Sequence, residues 1–220
     1  MKYLITERQL KLIKEQDEIL ELDFDFFNKN WNILQKFLER RGNPPYIITG
    51  DLYLTYSEIQ SLGNLQSVGG YLNLYDSKIE SLGNLQSVGG YLYLNNTKIE
   101  SLGNLKSVGG DLDLEGSNIE SLGNLQSVGG GLDLRGTKIE SLGNLQSVGG
   151  DLYLRDSNIE SLGNLQSVGG YLYLNNTKIE SLGNLEYVGG SLDLRNTPLS
   201  KTTTEEEIRN QVEVGRGIYL

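Results

Sequence analysis

The 220-residue chain contains no cysteine and no histidine. Without thiols no disulfide framework can form, and the thiolate and imidazole ligand sets for zinc, copper and haem are missing. The same two absences remove Ser–His, Cys–His and every histidine acid–base mechanism. Methionine and tryptophan occur once each and proline three times. No run approaches the ~20 apolar residues that span a bilayer. Positive charge is short: 19 Lys and Arg stand against 29 Asp and Glu, a formal net charge of −10. That balance opposes non-specific binding to nucleic acid or to an anionic membrane. Met1-Lys2-Tyr3-Leu4-Ile5-Thr6-Glu7 meets charge too early for a signal-peptide core. The expectation is a cytoplasmic chain, or one associated with a virion, with no nucleic-acid partner and no membrane insertion.

What the chain has is 28 glycines, 13 tyrosines and a repeat. Ser61-Leu62-Gly63-Asn64-Leu65 recurs at 81, 101, 121, 141, 161 and 181, so seven units of twenty residues fill 140 of the 220 positions. The unit reads S-L-G-N-L-x-S-V-G-G-x-L-x-L-x-x-[ST]-x-I-E, and a partial unit precedes it at Gly50 to Gln60. Leu72 and Leu74 alternate with Tyr71, Asn73 and Tyr75, the period-2 mark of a strand with one buried face. Gly63-Asn64 and Gly69-Gly70 are turn chemistry. Each unit is therefore expected to hold one short strand and two turned segments. A single unit cannot bury its Leu, Val and Ile side, whereas a stack of units can. Strands starting near Leu52, Leu72, Leu92, Leu112, Leu132, Leu152, Leu172 and Leu192 should pair in parallel, eight rungs spanning roughly 34 Å. Ser77, Thr97, Ser117, Thr137, Ser157 and Thr177 occupy one position and read as inward hydroxyls that satisfy turn backbone. Ser61, Asn64 and Glu80 hardly change from unit to unit, which reads as recent duplication more than structural demand.

The phrase L-x-L-x-x-[ST]-x-I-x-S-L resembles a leucine-rich repeat with Ser or Thr in place of the usual Asn. The longer run from Lys98 to Gly110 (KIESLGNLKSVGG) is similar to the L domains of insulin- and epidermal-growth-factor-type receptors. That resemblance implies a right-handed parallel β-solenoid and covers the repeat array only. The chain departs from those receptors in lacking cysteine and in its shorter, more uniform units, so their function does not transfer. The first ten residues resemble the starts of many phage and marine microbial proteins, a short likeness that implies no activity.

The fold expected is mainly β: a leucine-rich-repeat or L-domain-like parallel β-solenoid with 20-residue rungs, a helical N-terminal cap and a short C-terminal cap. The divisions are 1–49 for the N-terminal cap, 50–200 for the repeats and 201–220 for the C-terminal cap. In the first, Thr6 with Gln9 makes a capping box before Leu10 and Ile13. Phe27, Trp31, Leu34 and Leu38 fall at helical spacing, and Gly42-Asn43-Pro44-Pro45 stops that helix. Trp31 is read as core. Leu20, Leu22, Phe24 and Phe26 alternate with acids, so that stretch is a strand or an acidic helix end. At the other end, Thr203 and Thr204 each precede a glutamate by three residues, predicting a short helix through about Val212. Gly215 to Leu220 reads as a final strand. Both caps read as devices against end-to-end polymerisation, and a monomer is expected.

Variation between the units concentrates on the outward strand positions. One row reads Tyr71, Tyr91, Asp111, Gly131, Asp151, Tyr171, Ser191. The next reads Asn73, Tyr93, Asp113, Asp133, Tyr153, Tyr173, Asp193, and the third Tyr75, Asn95, Glu115, Arg135, Arg155, Asn175, Arg195. Tyr, Asp, Asn, Ser, Gly and Arg are the residues adaptable binding surfaces use. Asp111, Asp113, Glu115 and Asp133 are expected to face Arg135 and Arg155, with Tyr and Asn on the flanks. Three outward residues by eight rungs give roughly 450 Å², small beside the ~800 Å² per partner of a standard interface. Loop residues such as Asp76, Lys78, Asn96 and Lys98 would have to join. The row Glu80, Glu100, Glu120, Glu140, Glu160, Glu180 reads as a solvated, aggregation-resistant side, softened by Lys78, Lys98, Lys138 and Lys178.

These residues lead to a non-catalytic binding module with a protein partner and no metal or cofactor. A glycan on the Tyr and Asp face, or a structural spacer in a larger assembly, is the alternative. Acids recur in adjacent rungs without a differentiated pair, which argues against glycosidic catalysis. They lie on a strand rather than in a Gly-x-Asp loop, unlike calcium-binding β-roll repeats.

Overall fold

A computed structural model describes residues 19–220; the capping box expected at Thr6 and Gln9 lies outside them. The chain winds into a parallel β-solenoid in which every turn adds one strand to each of two sheets, of ten and nine strands. Equivalent residues pair in register twenty positions apart, as in Leu112↔Leu132↔Leu152 and Val108↔Val128↔Val148. The expected strand is one of the two, for example Leu92–Tyr93. The other, Ser87–Val88 in the same turn, corrects the expectation of one strand per unit. A Ser-Val pair carries one apolar residue and so shows no alternation. Its peptide groups must still find partners in a stacked rung, and the adjacent rung is the nearest source. Isolated bridges such as Ser61↔Ser81 and Ser101↔Ser121 mark the third side of the coil.

Leu, Val and Ile of every turn point inward and form one continuous buried column. The Ser/Thr row is buried as expected, and the hydroxyls of Thr97, Ser117, Thr137, Ser157 and Thr177 each donate to the leucine carbonyl three residues earlier, at 2.6–2.7 Å, whereas the buried Ser77 hydroxyl departs from the expectation and makes no such bond. Those bonds stay within a rung. Uniformity at the solvent-facing positions has a structural reason that the duplication reading lacked. Ser61 Oγ accepts from the Gly63 N–H at 3.1 Å, and every serine from 81 to 181 repeats this at 3.0–3.1 Å. Asn84 donates to Asn64 Oδ1 at 2.9 Å, tying one rung to the next.

At the N-terminal end, Leu20–Leu22 is a strand parallel to Tyr46–Ile48, and Phe24–Phe27 is a 3-10 turn. The ambiguous stretch is thus a strand followed by a turn. Helix α1 (Trp31–Glu39) starts at Asn30, whose side chain accepts from the Ile33 N–H. Phe24, Phe27, Leu34, Leu38 and Tyr46 are buried in the same core as the repeats, and Trp31 packs partly buried against it. At the other end, helix α2 (Glu205–Gln211) begins with the Thr204–Glu207 capping box. Glu213–Val214 and Ile218–Tyr219 then add a last rung to both sheets.

The corner between the sheets is set by glycine. A Cβ on Gly129 would drive into the carbonyl oxygen of Gly109 in the rung before. Gly136 differs: its φ is +64°, with open space around it, and Asn96 and Asn176 hold the same left-handed conformation at equivalent positions. Gly129→Ala should therefore cost about 1–3 kcal/mol or more, while Gly136→Asn should stay within about 0.5 kcal/mol of the parent. Denaturant unfolding of the two variants checks this; equal losses would refute the assignment.

Candidate functional site

The outward side of the sheet that carries Leu52–Tyr53 through Ile218–Tyr219 holds the variable rows. Inward leucines alternate with the residues at 71, 73 and their equivalents, so side chains of one row sit one strand spacing apart. That spacing decides what the tyrosines do. Tyr71 and Tyr91 stack with centroids 4.9 Å apart and planes 6° from parallel. Tyr153 and Tyr173 stack at 5.0 Å and 7°, and Tyr171 joins them at 5.9 Å. Two aromatic platforms result, separated by rungs with no ring.

Asp111, Asp113, Asp133 and Gly131 occupy that gap. They floor an open notch of about 490 Å³, with Tyr93 at one end and Asp151 and Tyr153 at the other. Asp111 Oδ1 accepts from the Gly131 N–H at 2.7 Å, and Asp151 Oδ1 from the Tyr171 N–H at 2.7 Å. Asp113 and Asp133 accept from the N–H two residues on, at 3.0 Å. Asn73 does the same for Tyr75, and Asp193 for Arg195. Asx in these rows therefore has a backbone role, capping a peptide N–H, that Tyr does not share.

The expected meeting of acids with Arg135 and Arg155 holds for only one of the two. Arg135 donates from Nε to Asp133 at 2.9 Å and from Nη2 to Glu115 at 3.1 Å. Hydrogen bonding to Asp133 raises its guanidinium further above the ordinary value. Arg155 turns instead to Asp156, at 3.1 Å. The carboxylates of Asp113, Glu115 and Asp133 converge within 4.8 Å, and the Arg135 guanidinium bonds two of them. Arg135, Arg155 and Arg195 line a separate groove of about 220 Å³ with Tyr153, Tyr173 and Asn175. Asp193 is only 4% exposed, with Arg195 Nε on its Oδ1 at 2.9 Å.

Several face residues were missed. Asp51, Tyr53 and Tyr56 belong to the partial unit; Tyr53 and Tyr56 are 48% and 68% exposed, and the Tyr53 hydroxyl donates to Asp51 at 3.1 Å. Counting back twenty positions would have found them. Arg216 and Tyr219 come from the C-terminal cap: Arg216 Nη1 donates to the Tyr171 hydroxyl at 2.8 Å, and the Arg195 guanidinium lies 5.7 Å from the Tyr219 ring. Helix α2 breaks the period before them, so no count reaches them. The loop row is constrained rather than free. Asp76, Asn96, Gly116, Gly136, Asp156, Asn176 and Asn196 all have φ between 53° and 68°, and Asp, Asn and Gly are the residues that tolerate this.

Two other surfaces are less differentiated. A shallow channel of about 610 Å³ runs along the second sheet over the serine row from Ser67 to Ser167 and ends at Tyr187. On the N-terminal cap, Phe26, Phe27, Ile33 and Phe37 line a groove of about 380 Å³ rimmed by Lys36, Arg40 and Arg41. On the glutamate side, Lys138 pairs with Glu120 at 3.7 Å and Lys178 with Glu160 at 3.0 Å. Among the described residues no helix is long and apolar enough to cross a membrane. No protein-family model matches the chain, and no curated protein is similar to it in sequence.

Two titrations follow. Burial raises the Asp113 carboxyl, Asp133 and Glu115 add to this, and the Glu115 N–H and Arg135 oppose it. A carboxyl raised on folding contributes most when protonated, and that contribution is lost as pH rises through the folded value. At neutral pH the charged Asp113 is then a net cost. Asp113→Asn should raise the melting temperature at pH 7 by an amount worth less than about 1 kcal/mol, since a half-exposed charge is screened. The gain should vanish on acidification below the ordinary carboxylate range; a loss at pH 7 would refute it. Burial and the Asp151 hydrogen bond push the Tyr153 phenol up to about 12. Its stabilisation is whole below the ordinary 10.0 and falls as pH rises through about 12. Spectrophotometric titration should show Tyr153→Phe removing one late-ionising phenol and leaving Tyr46, which burial also holds near 12.

Proposed function

We propose that this protein is a non-catalytic, monomeric recognition module that binds a protein partner on its tyrosine-bearing sheet. The observation that carries this reading is the pair of stacked tyrosine platforms flanking a charged notch. Stacked rings offer large contact area with few rotors to immobilise, and neighbouring acidic and arginine-lined hollows supply charge of both signs. The outward face is backed by a continuous core, so little ordering is needed on binding. Tyr53, Tyr56, Arg216 and Tyr219 enlarge the face toward the area that stable complexes use. The solenoid is also proposed to be kin to leucine-rich repeats and receptor L domains, on the L-x-L-x-x-[ST]-x-I-x-S-L phrase, and to work in the cytoplasm.

A second reading has its own support. Parallel rings beside carboxylates also suit a glycan, whose apolar face stacks while its hydroxyls donate. The experiment is capture from a lysate of the source cell, or of its virus's host, with parent and variant side by side. The variant carries Tyr91→Ser, Tyr93→Ser, Arg135→Ser, Arg155→Ser and Tyr173→Ser and must melt like the parent. A protein held by the parent and lost by the variant is the expected result. Retention of only a glycan would favour the second reading. Equal capture, or none by either, would refute recognition through this face and favour a spacer.

A further inference from the structure

The rows of the tyrosine face are interrupted at one place, where Gly131 stands in line with Asp111 and Asp151. The missing side chain opens the notch between Tyr93 and Tyr153. These two residues lie three rungs apart, about 14 Å at strand spacing. Asp111, Asp113, Asp133 and Asp151 all line it. Their hydrogen bonds divide them into two pairs. Asp133 is bound through Nε of Arg135, and Asp151 is engaged by the Tyr171 N–H and, at 2.9 Å, by the Tyr153 hydroxyl. Asp111 and Asp113 each accept one backbone N–H through Oδ1. Among the described residues nothing donates to either Oδ2. Arg135 is the adjacent cation, and it is committed to Asp133 and Glu115, with its guanidinium 5.6 Å from the Tyr153 ring.

We infer that this notch is the docking point for an arginine side chain of the protein partner, its guanidinium received by Asp111 and Asp113 beside Tyr93. The inference rests on the recognition reading above and names the chemistry of its centre. Charge complementarity selects a cation: four carboxylates face the notch with one neighbouring guanidinium already paired. A neutral sugar would leave that excess uncompensated. A planar guanidinium fits better than a compact ammonium, because it donates to two carboxylates at once and stacks on an adjacent ring such as Tyr93.

The test is an amide-resolved NMR titration of the full chain with Nα-acetyl-arginine amide, beside its lysine and citrulline counterparts. Citrulline keeps the shape and removes the charge. The arginine probe should move the Gly131 and Asp113 amides saturably, with the millimolar affinity of a lone side chain. Lysine should bind several-fold more weakly, citrulline should leave these amides in place, and added salt should weaken the arginine effect. Asp111→Asn/Asp113→Asn should lower arginine affinity at least about tenfold. Asn73 makes the same turn at the position equivalent to Asp113, so this variant should keep the fold.

Citrulline moving the same amides as strongly as arginine would overturn the inference. So would arginine shifts spread equally over the Glu80–Glu180 side, or neutral hexoses acting at Gly131 where arginine does not. The double variant also separates this inference from the reading beneath it. A captured partner lost by the five-site face variant but fully kept by Asp111→Asn/Asp113→Asn would sink the arginine notch and leave the recognition face standing.

Discussion

Every residue of the repeat lies one strand spacing from its equivalent twenty positions away, and this in-register stacking governs the rest of the molecule. Parallel pairing satisfies the peptide groups of each rung only if the next rung follows the same path. Path identity then becomes sequence identity wherever backbone touches backbone. The glycine corner is the sharpest case: Gly89, Gly109, Gly129 and Gly149 each approach a carbonyl so closely that no Cβ fits. Ser61 and its equivalents hold the next corner by accepting a glycine N–H. Stacking also multiplies whatever a row contains. Tyrosine over tyrosine becomes an aromatic platform at 4.9–5.0 Å, and aspartate over aspartate becomes a region of concentrated charge.

The solenoid itself was legible because a period of twenty is visible without any structural knowledge, and Leu72 and Leu74 announce a strand with an inward face. The inward Ser/Thr row was legible for the same reason: a small polar residue among apolar neighbours is best served by a partner within the rung, which all but Ser77 find. The Ser-Val strand was not, since two residues carry no period and its pairing comes from the stack. The unchanging Ser61 and Asn64 were misjudged because a side chain can be solvent-exposed and still hold backbone. Sequence alone treats exposure as freedom. Conversely, the loop row at Asp76 looked variable, yet it samples only residues that tolerate positive φ. The Asx residues at 73, 113, 133 and 193 are part constraint as well, each capping an N–H.

What remains after these constraints are removed is a smaller and more specific surface. Tyrosine at 91, 93, 153, 171 and 173 caps no backbone N–H; what the fold draws from it is ring stacking along the rows and, at Tyr153 and Tyr171, a hydroxyl bond to Asp151 and Arg216. Asp113 has a backbone role that Asn73 performs without charge, and its charge is disfavoured by burial and by its neighbours. Asparagine would serve the fold better there. On the recognition reading proposed above, the charge of Asp113 and the unpaired oxygens of Asp111 and Asp113 serve a cation from a partner.

The two ends of the described coil are finished differently. At the C-terminal end, Glu213–Val214 and Ile218–Tyr219 add one strand to each sheet, so the two edges finish level. Among the described residues the sheets are staggered at the N-terminal side: Leu20–Leu22 extends one sheet a strand beyond Tyr46–Ile48, while the first strand of the other is Leu52–Tyr53. A second copy meeting this end with its level edge could pair with one sheet only, leaving a one-strand gap at the other. Incomplete pairing leaves peptide groups unsatisfied across the join. A join between edges of this kind would oppose growth in the direction the repeat itself most favours. A uniform stack needs such a mismatch more than an irregular one, because every internal rung is already a template for the next.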